Sequence, residues 1–141
     1  VNGALTVTGT TTLATSLTGS LKASSGVVSV ETLEKIFYVE APEGSDAFPI
    51  AYFSQAGTIL EVVAQTDTGT VDFNIEKRGQ TTPYSAGTDI DSSDFQADST
   101  GISETSFSSP GVAAESWLWY SASATASSPT KLILAVIYRL D

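Results

Sequence analysis

Between Gly57 and Arg78 the chain reads GTILEVVAQTDTGTVDFNIEKR, and no other stretch restricts the fold as strongly. In an extended strand Ile59, Glu61 and Val63 share one face, and Leu60, Val62 and Ala64 share the other. After TDTGT, the residues Val71, Phe73 and Ile75 alternate strictly with Asp72, Asn74 and Glu76. A period of two built from β-branched and aromatic residues predicts a sheet with one wet face. Asp67 to Thr70 read as the turn of a β-hairpin, with Gly69 free to take positive φ.

The rest of the chain extends this reading. EKIFYVE (34–40) predicts the first strand of a domain, and APEGSD (41–46) a turn punctuated by Pro42 and Gly44. FPIAYFSQ (48–55) predicts a short strand whose Pro49 suits a strand start or a sheet edge. Residues 77–98 form a long excursion broken by Gly79, Pro83 and Gly87, in which 92–97 reads as one helical turn capped by Ser92 or Ser93. A further strand is expected around 105–108, closed by Pro110 and Gly111. ESWLWYSA (115–122) predicts a strand, 124–130 a turn, and KLILAVIYRL (131–140) a last strand. Both faces of that last strand are apolar, which places it centrally in a sheet or against a neighbouring subunit. Seven or eight strands without a long helix predict an all-β, antiparallel β-sandwich, jelly-roll-like, over residues 34–141.

Residues 1–33 have a different composition. Twelve of the first thirty residues are Thr or Ser and four are Gly, which disfavours a helix despite the four-residue steps between Leu13, Leu17 and Leu21. Lys22 is the one charged residue before Glu31, whereas disordered chains usually carry high net charge. Leu5, Leu13 and Leu21 recur every eight residues, punctuated by Gly3, Gly9, Gly19 and Gly26. One copy of this segment has no core for its leucines, but three copies wound about an axis would have one. The expectation is an extended, β-rich N-terminal shaft or arm, packed through Leu5, Val7, Leu13, Leu17 and Leu21 of three chains; a flexible linker is the alternative.

Asn2, Gly3, Leu5, Val7, Gly9, Thr11 and Leu13 follow the pattern N-G-x-L-x-V-x-G-x-T-x-L. The stretch NGALTVTGTTTLATSLTGSL resembles the short repeats of tailed-bacteriophage fibre and spike shafts. The resemblance covers residues 2–21 and decays after Ser24, so the shaft would end near Val30. It implies a homotrimeric structural protein on the exterior of a phage particle, in contact with other virion proteins of capsid, neck or tail. A capsid decoration (cement) protein whose N-terminal stretch is an arm lying on the shell is the alternative.

Composition narrows the chemistry. The chain carries six basic and sixteen acidic residues, a net charge of −10, so its surface repels nucleic-acid phosphates and anionic lipid. No apolar run approaches the ~20 residues that span a bilayer as a helix. There is no Cys and no His, which removes disulfides, thiolate ligands and the usual base at neutral pH. There is no Met either, so the chain reads as a processed product or a piece of something longer. The abundant serines have no His partner and no G-x-S-x-G elbow, and nothing in the sequence marks Lys35, Lys77 or Lys131 as buried bases. The expectation is a protein that is not an enzyme and takes no cofactor.

Two clusters remain as candidate sites. Asp89, Asp91, Asp94 and Asp98 form the densest acidic run; Asp-x-Asp-x-x-Asp offers hard oxygens for Ca²⁺, although the EF-hand glycine and closing Glu are missing. A solvated acidic loop is the plainer reading. Trp117 and Trp119 lie two apart on a strand and share a face, with Leu118 and Tyr120 opposite. They serve core or intersubunit packing, or they stack on the sugar rings of a host surface glycan. Tyr84, in the broken loop, is the exposed candidate for a partner contact.

Overall fold

The computed structural model describes residues 21–24 and 27–141, with side chains from residue 31 onward. Two short strands, β1 (Leu21–Ser24) and β2 (Val27–Val30), pair antiparallel with Leu21 opposite Val30. The expected shaft contacts Leu5, Val7, Leu13 and Leu17 lie outside the described residues.

Ten further strands build two sheets. The first sheet runs β3 (Leu33–Glu40), β12 (Lys131–Leu140), β5 (Gly57–Thr66), with two short pieces, β9 (Ile102–Glu104) and β10 (Gly111–Val112), one after the other along the free edge of β5. The second runs β4 (Ala47–Phe53), β11 (Ser116–Ala126), β6 (Thr70–Gly79), with β7 (Thr88–Asp89) and β8 (Phe95–Ala97) sharing the edge of β6. Every pair is antiparallel. Taking β7 with β8 and β9 with β10 as one interrupted strand each, the orders are first-eighth-third-sixth and second-seventh-fourth-fifth. That is the connectivity of a jelly roll.

This topology corrects the hairpin reading. β6 alternates over Val71–Ile75 as expected, but β5 and β6 belong to opposite sheets, and residues 67–69 cross between them. A period of two reports which face is buried and is silent about the partner strand. The faces of β5 also differ from simple alternation. Ile137 pairs with Glu61 and Tyr138 with Ile59, so Leu60 is the extra residue of a β-bulge. The bulge turns Ile59 to the same side as Val62 and Ala64, and all three are buried.

Three smaller expectations also change. Phe95–Ala97 is a strand on β6 where a helical turn was expected, because Phe95 and Ala97 bury themselves beside Phe73 and Val71. The strand expected at 105–108 is replaced by β9 and β10 on either side of it. β11 continues to Ala126, where Ser127 and Ser128 take positive φ and turn the chain. Two expectations hold as made: Pro49 lies on an edge strand, and β12 lies between β3 and β5.

The core forms where the inner faces meet. Phe53, Ile59, Val62, Phe73, Ile75, Leu118, Tyr120, Leu132, Leu134 and Val136 are almost wholly buried. An aromatic row crosses the second sheet: Phe48 stacks on Tyr120 at 4.8 Å, Tyr120 meets Phe73 at 5.5 Å, Phe73 meets Phe95 at 5.6 Å, and Phe95 meets Phe107 at 5.9 Å. Such pairs add directional stabilisation to simple area burial.

One end of the sandwich is tied by a single carboxylate. Asp67, in the β5–β6 crossing, accepts hydrogen bonds from the Thr130 hydroxyl and from the backbone N–H of Thr130 (3.0 Å) and Lys131 (2.9 Å). The Thr130 carbonyl in turn accepts from Ala41 N–H at 2.8 Å, in the β3–β4 crossing. The hydroxyl of Thr130 and these backbone donors hold the Asp67 carboxyl below the usual carboxylate range. Gly69 sits in the left-handed region at φ 65°, and a Cβ there would come within 2.3 Å of the Ala126 carbonyl oxygen.

Gly69→Ala therefore lowers unfolding free energy by about 1–3 kcal/mol, the usual cost of a strained left-handed residue, in urea denaturation. Asp67 supplies a second test. Its folded pKa is depressed, so its contribution is fully present above the unfolded value of about 3.9 and is lost as pH falls through the folded value. Asp67→Asn is expected to lower the melting temperature at pH 7 and to flatten its decline between pH ~4 and pH ~2; a parallel decline in both proteins contradicts this.

Candidate functional site

Alternation along β11 sends Leu118, Tyr120 and Ala122 inward, and Trp117, Trp119 and Ser121 to the outer face of the second sheet. The sequence predicted this split, and register supplies the neighbours. On β4, Tyr52 lies opposite Trp117 and Pro49 opposite Trp119. On β6, Arg78 lies opposite Trp117 and Glu76 opposite Trp119. Tyr52 and Trp117 meet at 4.9 Å with their rings tilted by 55°.

Trp119 points outward yet is only 7% exposed. The Arg78 guanidinium lies over its ring at 4.0 Å. The same guanidinium pairs with Glu76 at 2.9 Å and donates to the Pro83 carbonyl at 3.2 Å. The second Glu76 contact is the Gly87 N–H at 2.9 Å. Burial pushes the Glu76 carboxyl up, but the Gly87 N–H, the Ser121 hydroxyl and Arg78 outweigh it, and its pKa falls below the usual value. One ion pair thus pins the 79–87 loop over the sheet at its middle, through Pro83, and at its end, through Gly87. Gly87 allows the close approach: a Cβ there would stand 2.4 Å from the Lys77 carbonyl oxygen.

The pinned loop carries Tyr84, which is 90% exposed and edge-on to Trp119 at 6.1 Å. Pro49, Pro83, Tyr84, Trp117 and Trp119 line a small open cleft. The structure brings the three sequence-predicted aromatics together. Sequence reading missed Tyr52, Pro49, Glu76 and Arg78, because their membership depends on β4 and β6 flanking β11. The even-numbered spacing of Glu76 and Arg78 showed a shared face, and nothing local showed what lay across from it.

The acidic run divides among separate tasks. Asp91 accepts from the Ser108 N–H at 2.9 Å, and that bond keeps its pKa low. Asp94 accepts from the Ser123 hydroxyl and from the Asn74 amide. Asp98 accepts from the hydroxyl and N–H of Thr100 and from the Gly101 N–H. Asp89 lies opposite Glu76, where burial and the charges of Glu76 and Asp94 raise its pKa. Among the described residues no group of three or more His, Cys, Asp or Glu side chains is placed to hold a metal ion. Lys77 donates to the carbonyl and hydroxyl of Ser109, both at 2.7 Å, and burial lowers its pKa. Among the described residues no helix is long and apolar enough to cross a membrane.

Protein-family models give no match to the chain, and curated proteins give none. Among solved structures, a chain of the cyanophage Pam1 capsid asymmetric unit is similar, at 17% identity and a TM-score of 0.42, covering 92% of this chain and 98% of that one. A likeness this loose carries no argument about role, and the jelly-roll assignment rests on strand order.

Arg78→Ala is expected to lower stability by about 3 kcal/mol, since it leaves Glu76 mostly buried without its partner. It should also free the loop and shift tryptophan emission to the red. Unchanged emission and an unchanged denaturation midpoint contradict the clamp.

Proposed function

We propose that the chain is a non-enzymatic structural component of a bacteriophage virion, assembling as a homotrimer on the particle exterior in contact with other virion proteins. The observation that carries this reading is the shaft-like repeat of residues 2–21 in front of a jelly-roll domain. In the fibre or spike form, three copies bury one another's Leu5, Val7, Leu13, Leu17 and Leu21, and the acidic, hydroxyl-rich exterior keeps the assembly soluble. The domain contributes a second apolar surface. Ile36 (62% exposed) and Tyr38 (56%) on β3, with Ile133 (47%) on β12, stand on the outer face of the first sheet, beside Val63 and Ala135. This patch begins soon after the β1–β2 hairpin ends at Val30 and suits packing against a neighbouring chain.

The decoration-protein reading has its own support. Residues 21–24 and 27–30 pair with each other within one chain, and Leu21 is among them. A segment that satisfies its backbone locally fits an arm leaving the domain as well as it fits a rod. In either assembly the outer face of the second sheet is available to a third class of partner, a host surface glycan.

Native mass spectrometry with limited proteolysis tests these readings. The shaft predicts a trimer whose first thirty residues resist protease without any capsid present. The arm predicts rapid removal of those residues, leaving the jelly roll intact. A stable monomer, resistant throughout, overturns the trimeric proposal.

A further inference from the structure

We infer that the cleft lined by Pro49, Pro83, Tyr84, Trp117 and Trp119 binds a neutral carbohydrate, a pyranose ring stacking on the Trp117 side and covered by Tyr84. The inference concerns one subunit's side chains and holds for any number of assembled copies, so it fails or stands apart from the trimer.

Three observations converge on this ligand. The first is the form of the wall. Two prolines with the Trp117 and Tyr84 rings present flat C–H and π surfaces, Trp119 lies mostly covered between them, and Tyr84 keeps 90% exposure on a loop tethered by Arg78 and Glu76. A tethered loop presents its tyrosine with little ordering left to do on binding.

The second observation is an unmet donor on a residue that lines the cleft. Trp119 is 93% buried, and its indole N–H has no acceptor among the described residues. A buried donor left without a partner is costly, and a ligand hydroxyl that gained access to it would recover that cost. On the same face Glu76, opposite Trp119, is already committed to Arg78 and the Gly87 N–H, and Ser121 lies two residues along the strand.

The third observation is charge, and it selects among sugars. The cation beside the cleft, Arg78, is buried and paired with Glu76, with the Pro83 carbonyl and the Trp119 ring also against it. Asp89 and Glu76 stand nearby, on a chain of net charge −10. A sialylated, sulfated or phosphorylated glycan would meet repulsion from this acidic surface, where Arg78 is already paired. A neutral polyhydroxylated ring meets no such repulsion and finds an apolar platform.

The test uses the intact assembly. Tryptophan emission is followed during titration with neutral gluco- and manno-hexasaccharides and, separately, with sialyllactose. The expected result is saturable quenching by at least one neutral sugar and none by sialyllactose. Tyr84→Ala, at an exposed position that folding does not need, should weaken binding about 3- to 10-fold, and Tyr84→Phe should restore it. Trp117→Ala should remove it. Three results overturn the inference: no quenching by the neutral sugars, equal or stronger binding of sialyllactose, or unchanged affinity in both alanine variants. A shift in assembly mass on Tyr84→Ala also overturns it, since the cleft would then be a subunit contact.

Discussion

Asp67 joins three crossings at one end of the sandwich. Its carboxylate reaches from the β5–β6 crossing to Thr130 and Lys131 of the β11–β12 turn, and Thr130 carries the connection on to Ala41. Strands β5 and β12 form the middle of the first sheet, and β6 and β11 the middle of the second. The Asp67 cluster therefore fixes where both central pairs begin. The inner faces can meet along a continuous core only if those starts agree, because a slip of one residue would send each buried side chain to water.

The outer faces follow from the same register. On the second sheet, pairing of β11 with β4 and β6 assembles Tyr52, Pro49, Glu76 and Arg78 around two tryptophans that the sequence places on one face. On the first sheet, β12 is apolar on both sides, so closing the core with Leu132, Leu134 and Val136 leaves Ile133 and Ala135 outside. One sheet thus offers an aromatic cleft bounded by an internal ion pair, and the other an aliphatic surface next to the N-terminal hairpin. These surfaces have different chemistry and suit different kinds of partner.

Much of this architecture was legible in the residues, and the parts that were not share a cause. The alternation of Val71, Phe73 and Ile75, the two apolar faces of β12 and the edge position of Pro49 all follow from local pattern. The assignment of β5 and β6 to opposite sheets does not, because a crossing of about 10 Å uses the same turn residues as a hairpin. The bulge at Leu60 was equally hidden, since it depends on the register of β12. Trp117, Trp119 and Tyr84 could be named from sequence, whereas the Arg78–Glu76 clamp needed the neighbouring strand. The short pieces β7 to β10 were least legible, being two or three residues each and held by pairing with longer strands.

The central structural claim is that residues 67–69 carry the chain from one sheet to the other. Backbone NOE contacts in the labelled protein test it most directly. The account predicts cross-strand contacts between Val62 and Val136 and between Ile75 and Tyr120. A ladder of direct backbone contacts between β5 and β6 would contradict it, and with it the jelly roll and the cleft.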